Sequence, residues 1–276
     1  MDHYRKQIML THLDKKLPMF VEAFGWNVGE SEFDRPDGYH CYHWLHTTAG
    51  SGEFRFSGKK ITLSVNEGIL LKPNVPHFYT PLTDPWSTWY ITFGGAQIGA
   101  ILDALDLAES TVISWEPSSP IASMHKKASK IAGAPYGFAG LDSSVTLYRF
   151  LTDIKKFGRA DNMRSLSHYH ERLLPLMRYL EEVYHDPAVG LEDMARYAGL
   201  SPQHLNHLFR TATGMSPYQF LIHLRIQKAK EELVGPGDRT IKAIAAQVGF
   251  LDASHFVSTF RRLEQKTPEQ FRRLHR

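Results

Sequence analysis

The last third of the chain contains one helical pattern twice, and this repeat constrains the fold more than any other feature. In each copy, four apolar or small residues at i, i+3, i+4 and i+7 precede a glycine. The copies comprise Leu191, Met194, Ala195, Ala198 and Gly199, then Ile241, Ile244, Ala245, Val248 and Gly249. Glycine supplies the sharp turn that joins two short helices. Each copy therefore predicts a helix-turn-helix unit.

A second helix follows each glycine. Ser201 and Asp252 are suited to cap these helices. Each copy then closes on a capping box, with Ser or Thr at the cap and Gln three residues later. These boxes are Ser216-Pro217-Tyr218-Gln219 and Thr267-Pro268-Glu269-Gln270. The alternative interpretation is a repeated helical hairpin in a protein that does not bind DNA.

The spacing of the two units favours nucleic acid. A helix predicted from Ser216 to Val234 would span roughly 28 Å, at about 1.5 Å per residue. Successive major-groove faces of DNA are about 34 Å apart, so one chain can place two reading helices in adjacent turns. Asn and Gln read adenine edges, and Arg meets phosphate. The DNA-contact candidates are Gln203, Asn206, His207, Arg210, Ser254, His255, Ser258, Arg261 and Arg262.

Residues 170–275 resemble the DNA-binding domain of the AraC/XylS family. The stretches that carry the resemblance are GLSPQHLNHLFRTATGMSPYQFL and IKAIAAQVGFLDASHFVSTFRRLEQKTPEQFRR. The resemblance implies that both second helices contact DNA, with base-reading positions at Gln203, Asn206, His207, Ser254, His255 and Ser258. Ser258 stands where the family often has Arg, Gln265 where it often has Gly, and Leu251 where it usually has a polar residue. The second unit is therefore expected to use phosphate contacts and DNA shape more than base edges.

Residues 18–93 read as short strands separated by turn signals, a pattern typical of a sandwich or small barrel. A hairpin is predicted at Ser57-Gly58. Helices are predicted at 97–107, 121–132 and 141–157, and a polar linker at 158–165. An apolar stripe on the last helix packs on the barrel, on a partner subunit, or on both; it comprises Leu147, Phe150, Leu151 and Ile154.

Residues 67–77 resemble the strand-turn-strand of cupin-like barrels, which bind the effector and dimerise in AraC relatives. The expected fold class is thus α+β. A cupin-like β-barrel with helices occupies residues 1–157, and an all-α double helix-turn-helix domain occupies residues 166–276.

Cupins often hold a metal, and His40, His43, His46 and His77 raise that alternative. Strand residues alternate faces, so His40 and His46 would point away from His43. Ligands that do not converge argue against a metal site, and no cofactor or metal is predicted.

An aromatic pocket for a polyol is the preferred prediction, because flat rings stack on sugar faces. In an arabinose-responsive member of the family, the sugar-binding arginine and a pocket tyrosine match Arg35 and Tyr79, whereas its later His and Trp correspond to Thr88 and Tyr90. The effector class is therefore supported, but arabinose is not. Arg35 suits a sugar hydroxyl or a carboxylate. The effector-binding candidates are Arg35, Tyr42, Trp44, His77, Tyr79, Thr88 and Tyr90.

Composition limits the setting of the chain. One cysteine, a polar start and the lack of a long apolar run predict a cytoplasmic protein with no membrane partner. Residues 239–276 hold 8 basic and 3 acidic side chains, which suits a polyanion binder.

The preferred hypothesis is a homodimeric, non-enzymatic regulator of transcription. It would bind double-stranded promoter DNA and a sugar-like effector, with RNA polymerase as a further possible partner. Two alternatives stay open: a metal-dependent cupin enzyme fused to a DNA-binding tail, and a regulator that uses its barrel only to dimerise.

Overall fold

Strands fill the first part of the chain and helices the second. The computed structural model describes residues 3–126, 139–160 and 163–276. The chain divides into two units, residues 1–167 and 168–276. In the described residues of the first unit the strands are β1 His3–Gln7, β2 Phe20–Asn27, β3 Phe33–Arg35, β4 Tyr42–Ala49, β5 Ser51–Phe56, β6 Lys59–Ser64, β7 Glu67–Leu71, β8 His77–Pro81, β9 Ser87–Gly94, β10 Thr111–Ser114 and β11 Arg159–Ala160. The α+β class predicted from the sequence is confirmed.

These strands form two antiparallel sheets. The larger has the order β1-β2-β9-β4-β7-β10-β11, and the smaller has the order β3-β8-β5-β6. The predicted hairpin joins β5 to β6, with Phe56 paired to Lys59. Its turn residues Ser57 and Gly58 have φ values of 47° and 73°. Two positive φ values match the twist of the flanking strands, which explains the tight connection.

The central strands β4 and β9 of the large sheet are buried on both faces. One face shares a core with the small sheet, in which Leu45 packs with Phe54 and Tyr79. The other face packs against α1 (Ile98–Ala104) and α2 (Ala139–Phe157). The predicted apolar stripe of α2 belongs to this second core, and its four residues are at most 1% exposed. The stripe therefore packs within its own unit.

Several predicted bounds differ from the structure. The segment predicted as a helix from residue 121 begins as a 3₁₀ turn, Pro120–Ser123, and residues 127–132 lie outside the described residues. Strand β10 was not predicted. Arg159 and Ala160, in the predicted linker, pair with β10 and extend the large sheet.

The second unit consists of helices in its described residues. They are α3 Leu166–Val183, which starts just before the unit, α4 Leu191–Ala198, α5 Pro202–Thr213, α6 Pro217–Val234, α7 Ile241–Gln247, α8 Ala253–Glu264 and α9 Pro268–His275. Two apolar cores form, one around Phe209 and one around Phe260. Helix α6 runs between them, with Leu221 in the first core and Ile226 in the second. Within the described residues, none of the helices has the length and apolar character needed to span a membrane.

Candidate nucleic-acid interface and ligand cavity

Helix α5 is the second helix of the first repeat, and its sequence fixes both its start and its buried face. The Ser201 hydroxyl accepts a hydrogen bond from the His204 amide at 3.2 Å, and Pro202 occupies the first turn. Leu205, Leu208 and Phe209 are buried in the first core. The opposite face is exposed at Gln203, His207 and Arg210 and half-buried at Asn206. An amide, an imidazole and a guanidinium group therefore share one solvent-facing side.

Helix α8 is the matching helix of the second repeat. The Asp252 carboxylate accepts hydrogen bonds from the amides of Ser254 at 2.9 Å and His255 at 3.3 Å. Phe256 and Phe260 are buried, whereas Ser254, His255 and Ser258 are exposed. The His255 ring lies 5.5 Å from the ring of Phe250, so one edge of this imidazole is occupied.

An open groove of about 830 Å³ runs along the outer face of α8. Its lining comprises Ala253, Ser254, Val257, Ser258, Arg261, Arg262, Gln265 and Thr267. Two arginines and several hydroxyl or amide groups line it, and no acidic side chain does. Such a surface suits a phosphate backbone, because guanidinium and hydroxyl groups donate to phosphate oxygens.

Helix α6 lies between α5 and α8 in the chain. Its capping box is complete: Ser216 Oγ accepts from the Gln219 amide at 3.2 Å, and Gln219 Oε1 accepts from the Ser216 amide at 2.8 Å. The helix has 18 residues. It therefore spans roughly 27 Å at about 1.5 Å per residue, which is of the order of one turn of duplex, about 34 Å.

The first unit contains a cavity of about 270 Å³. Its lining comes from both sheets and the loops between their strands, and comprises Tyr4, Arg5, Ala23, Asn27, Glu30, Phe33, Arg35, Tyr39, His43, Leu45, Tyr79, Tyr90 and Thr92. Phenol rings, one carboxylate, two guanidinium groups and one imidazole thus surround the same space. This mixture gives apolar faces beside a few charged or polar groups, as in small-molecule sites.

Arg35 is held in the cavity wall by two rings. Its guanidinium carbon lies 4.8 Å from the ring centroids of both Phe33 and Tyr39. Its Nε is buried and has no hydrogen-bond partner among the described residues. Rings that pack against a guanidinium restrict its plane and leave its in-plane N–H groups available to a ligand.

Glu30 supplies the acceptor group of the same cavity. Its Oε2 accepts from Asn27 Nδ2 at 2.7 Å and from Thr88 Oγ1 at 2.5 Å. These two donors hold the carboxylate at the cavity wall. Burial raises the pKa of Tyr79 and of Tyr90, and the nearby Glu30 carboxylate adds to both shifts, so both phenols remain protonated.

His43 is a neutral imidazole in the cavity wall. Burial lowers its pKa to about 3, and His77 and Arg35 add to the shift. Both ring nitrogens are buried without a partner in the described part of the chain. A neutral imidazole offers one donor and one acceptor, so His43 can bind a hydroxyl in either sense.

The four histidines considered as metal ligands do not come together around one point. His43 and His77 are neighbours, with ring centroids 5.8 Å apart. His46 lies on the other face of β4, where its Nδ1 accepts from the Trp44 indole at 3.0 Å. Among the described residues, the group whose ligand atoms come together is Glu22, His40 and Cys41, which is outside the cavity.

Two family models match the chain, one in each unit. An AraC-like ligand binding domain matches residues 24–149, and a helix-turn-helix domain matches residues 194–274. Together they cover three quarters of the chain. The chain belongs to the AraC family of transcription regulators. The cavity lies in the ligand-binding region of this AraC-family protein, and helices α5 and α8 lie in its DNA-binding region.

Named relatives span most of this AraC-family chain. The raffinose operon transcriptional regulatory protein RafR of Pediococcus pentosaceus is 27% identical over 229 residues, covering 81% of this chain and 82% of that protein. The lactose operon transcription activator of Staphylococcus xylosus is 23% identical, covering 83% and 82%. A solved AraC-type regulator from Chromobacterium violaceum is 26% identical, with a TM-score of 0.37, and covers 40% of this chain and 96% of that chain.

The effector-binding candidates separate into two groups. Arg35, Tyr79 and Tyr90 line the cavity, and Thr88 touches it only through its bond to Glu30. Tyr42 and Trp44 do not line it, which corrects the sequence-based prediction. They project from the opposite face of β4, where Tyr42 stacks on Phe93 at 5.6 Å and Trp44 packs on Phe150 at 5.5 Å.

His77 lies behind the cavity lining and is not part of it. Its Nδ1 is 2.8 Å from the Val75 carbonyl oxygen, and its ring contacts His43. Sequence reasoning missed Glu30 and His43 as lining residues. The alternation of β4 was a usable signal for His43, because it separates His43 from Trp44. Glu30 lies in a loop between β2 and β3, and no pattern marks it.

Proposed function

We propose that the effector of this regulator is a sugar, that it binds in the first-unit cavity, and that its binding changes how the second unit engages operator DNA. The observation that carries the proposal is the pairing of unsatisfied polar groups with aromatic rings in one cavity. The names of the raffinose and lactose operon relatives support the same effector class. Control of this kind requires that the sugar bind two conformations with different affinity.

The polar groups of the cavity match a sugar hydroxyl, which both donates and accepts. Glu30 accepts only, Arg35 donates only, and neutral His43 does one of each. The tyrosine rings supply flat apolar faces for the C–H face of a sugar ring. The cavity of about 270 Å³ lies near the lower end of ligand pockets, roughly 300–1,000 Å³, which favours one sugar unit within the protein.

Calorimetric titration of the full chain with neutral mono- and disaccharides tests the proposal. At least one sugar is expected to bind, and Arg35→Ala and Glu30→Gln are expected to abolish binding while leaving affinity for operator DNA unchanged. Arg55→Ala and Glu53→Gln are matched controls, because these residues pair with each other at 2.6 Å on β5, outside the cavity. If no sugar binds, the barrel acts without a sugar effector and the proposal fails.

We also propose that the protein is a homodimer through the outer face of α2. Leu141, Val145 and Tyr148 are 48%, 72% and 51% exposed. They follow the i, i+4, i+7 spacing of one helix face, opposite the stripe that packs on the large sheet. Val145→Glu should shift the protein from dimer to monomer in sedimentation velocity, whereas Lys59→Glu, at an exposed position of the β5–β6 hairpin, should not.

RNA polymerase is proposed as a partner at the promoter. The supporting observation is that one relative is named as a transcription activator. Run-off transcription from an operator-containing template, with and without the sugar, measures this directly. A transcript level that equals the level without the protein, both with and without the sugar, would contradict the proposal. The cytoplasmic location and the absence of an enzymatic activity stay predictions.

A further inference from the structure

A buried arginine joins the two halves of the DNA-binding unit. Arg225 lies in the middle of α6 and is 3% exposed. Its Nε donates to the Tyr184 carbonyl at 2.8 Å, and its Nη2 donates to the Asp186 carbonyl at 2.7 Å. Both acceptors belong to the loop that leads from α3 into the first helix-turn-helix. The guanidinium thus ties the linking helix α6 to the loop before the first helix-turn-helix through two backbone oxygens.

The same guanidinium contacts the turn of the second helix-turn-helix. Its carbon lies 6.0 Å from the ring centroid of Phe250. A methyl group at Gly249 would lie 2.5 Å from the Tyr184 carbonyl oxygen and 2.9 Å from Arg225 Nε. The second turn therefore sits directly against the group that holds the first loop, with no room for a side chain between them.

Tyr184 makes the junction continuous with both apolar cores. Its side chain packs against the first core and against the second. A guanidinium that bonds carbonyl oxygens is rigid, because its planar fork fixes the positions of both acceptors. The loop, the linking helix and the second turn thus meet at one charged group.

We propose that Arg225 is a positioning residue that fixes the separation and rotational phase of helices α5 and α8, and so sets the operator spacing that the protein accepts. It acts through the loop at Tyr184 and the turn at Gly249, and need not touch DNA. The inference rests on the DNA-binding role of the second unit and is independent of the effector.

The test uses the full chain and a selected operator. Selection from a random duplex library with the unaltered protein yields a sequence with two recognised blocks for each protomer. Affinities are then measured for that duplex and for versions with one base pair inserted or removed between the blocks. The unaltered protein should lose at least tenfold in affinity for either altered spacing.

Arg225→Met keeps the apolar stem and removes both hydrogen bonds. It should bind the parent duplex about tenfold more weakly and discriminate among the three spacings by less than about threefold. Both blocks should stay protected in a hydroxyl-radical footprint. Arg225→Lys, which can reach one carbonyl, should give an intermediate loss of discrimination. Lys228→Met on the same helix is the matched control and should discriminate like the unaltered protein.

Three results would overturn the proposal. One is an equal loss of affinity on all three duplexes with discrimination retained, which indicates only a loss of fold. Another is the disappearance of the second footprint in both Arg225 variants. The last is unchanged discrimination in Arg225→Met. Failure of sugar binding would leave all of these measurements unaffected.

Discussion

The two helix-turn-helix units share a design but differ at three corresponding places. Gly199 turns the first unit with open space around it, whereas Gly249 turns the second against Tyr184 and Arg225. Helix α5 offers an amide and an imidazole toward solvent, whereas α8 lines a groove with hydroxyls and two arginines. The first unit ends α5 at Gly214, and the second ends α8 at Gln265, both in the left-handed region. The two copies of the repeat thus keep the same backbone geometry but expose different side chains.

The largest expected difference concerns the turn glycines. Gly249→Ala should lower the free energy of unfolding of residues 168–276 by about 2–4 kcal/mol, because it adds a backbone clash to an unfavourable positive φ. Gly199→Ala should cost about 1 kcal/mol, because only the backbone conformation opposes it. Circular dichroism at 222 nm during chemical denaturation measures both.

Tryptophan fluorescence supplies the control for that measurement. All five tryptophans lie within residues 1–167, so their unfolding transition should not change in either variant. Equal losses for the two alanine variants would show that the crowding at Gly249 has no energetic consequence.

The next difference concerns base reading. Asn206→Ala should weaken operator binding by about 1–3 kcal/mol with little change on random DNA, as expected for a side chain that reads a base edge. Ser258→Ala should cost less, because Ser258 Oγ already donates to the His255 carbonyl at 2.9 Å. Fluorescence anisotropy with both duplexes measures the two losses. A larger effect of Ser258→Ala would reverse the roles assigned to the two helices.

A smaller effect is expected from the groove arginines. Arg261→Gln should reduce binding to operator and random DNA alike and lower the salt slope by about one, because one phosphate contact is lost. The slope is obtained from affinities measured at several salt concentrations between about 50 and 200 mM. A loss confined to the operator would assign Arg261 to a base instead of a phosphate.

The smallest effect concerns the C-terminal ends of helices α5 and α8. Gln265 adopts φ 57°, a conformation in which a side chain is unfavourable. Gln265→Gly should stabilise the second helix-turn-helix by about 0.5–1 kcal/mol. Gly214→Gln, the reverse change at φ 75°, should destabilise the first. Thermal unfolding of both variants checks the sign, and a destabilised Gln265→Gly would mean that the Gln265 bond to the Arg262 carbonyl matters more than the strain.

The sequence predicted the helical unit well because its signals are local. Caps such as Ser201 and Asp252, and inward residues such as Phe209 and Phe260, lie within a few positions of the elements that they define. The junction at Arg225 was not predicted, because its partner Tyr184 is 41 residues away. Local spacing carries no information about which distant carbonyl oxygen a buried arginine will meet.

The cavity lining was predicted less well than the helices. The central strands of the large sheet have no solvent-facing side, so no alternation of polar and apolar residues shows which side chains face the cavity. The side chains of β4 alternate between the two faces of the sheet as predicted, but helices cover one face and the small sheet covers the other. An aromatic residue such as Trp44 suits either core, so its type did not reveal its face. Arg35 and Tyr79 were identified through the family resemblance, not through a pattern in this chain.

Strand β4 separates two kinds of neighbour along a single stretch of backbone. His43 and Leu45 border the cavity, whereas Trp44 packs on Phe150 of α2 and His46 accepts a hydrogen bond from the Trp44 indole. The lining of the proposed effector site can thus be altered from one side of this strand. Substitutions at His43 and Leu45 would change the cavity lining, while Trp44 keeps its packing on α2.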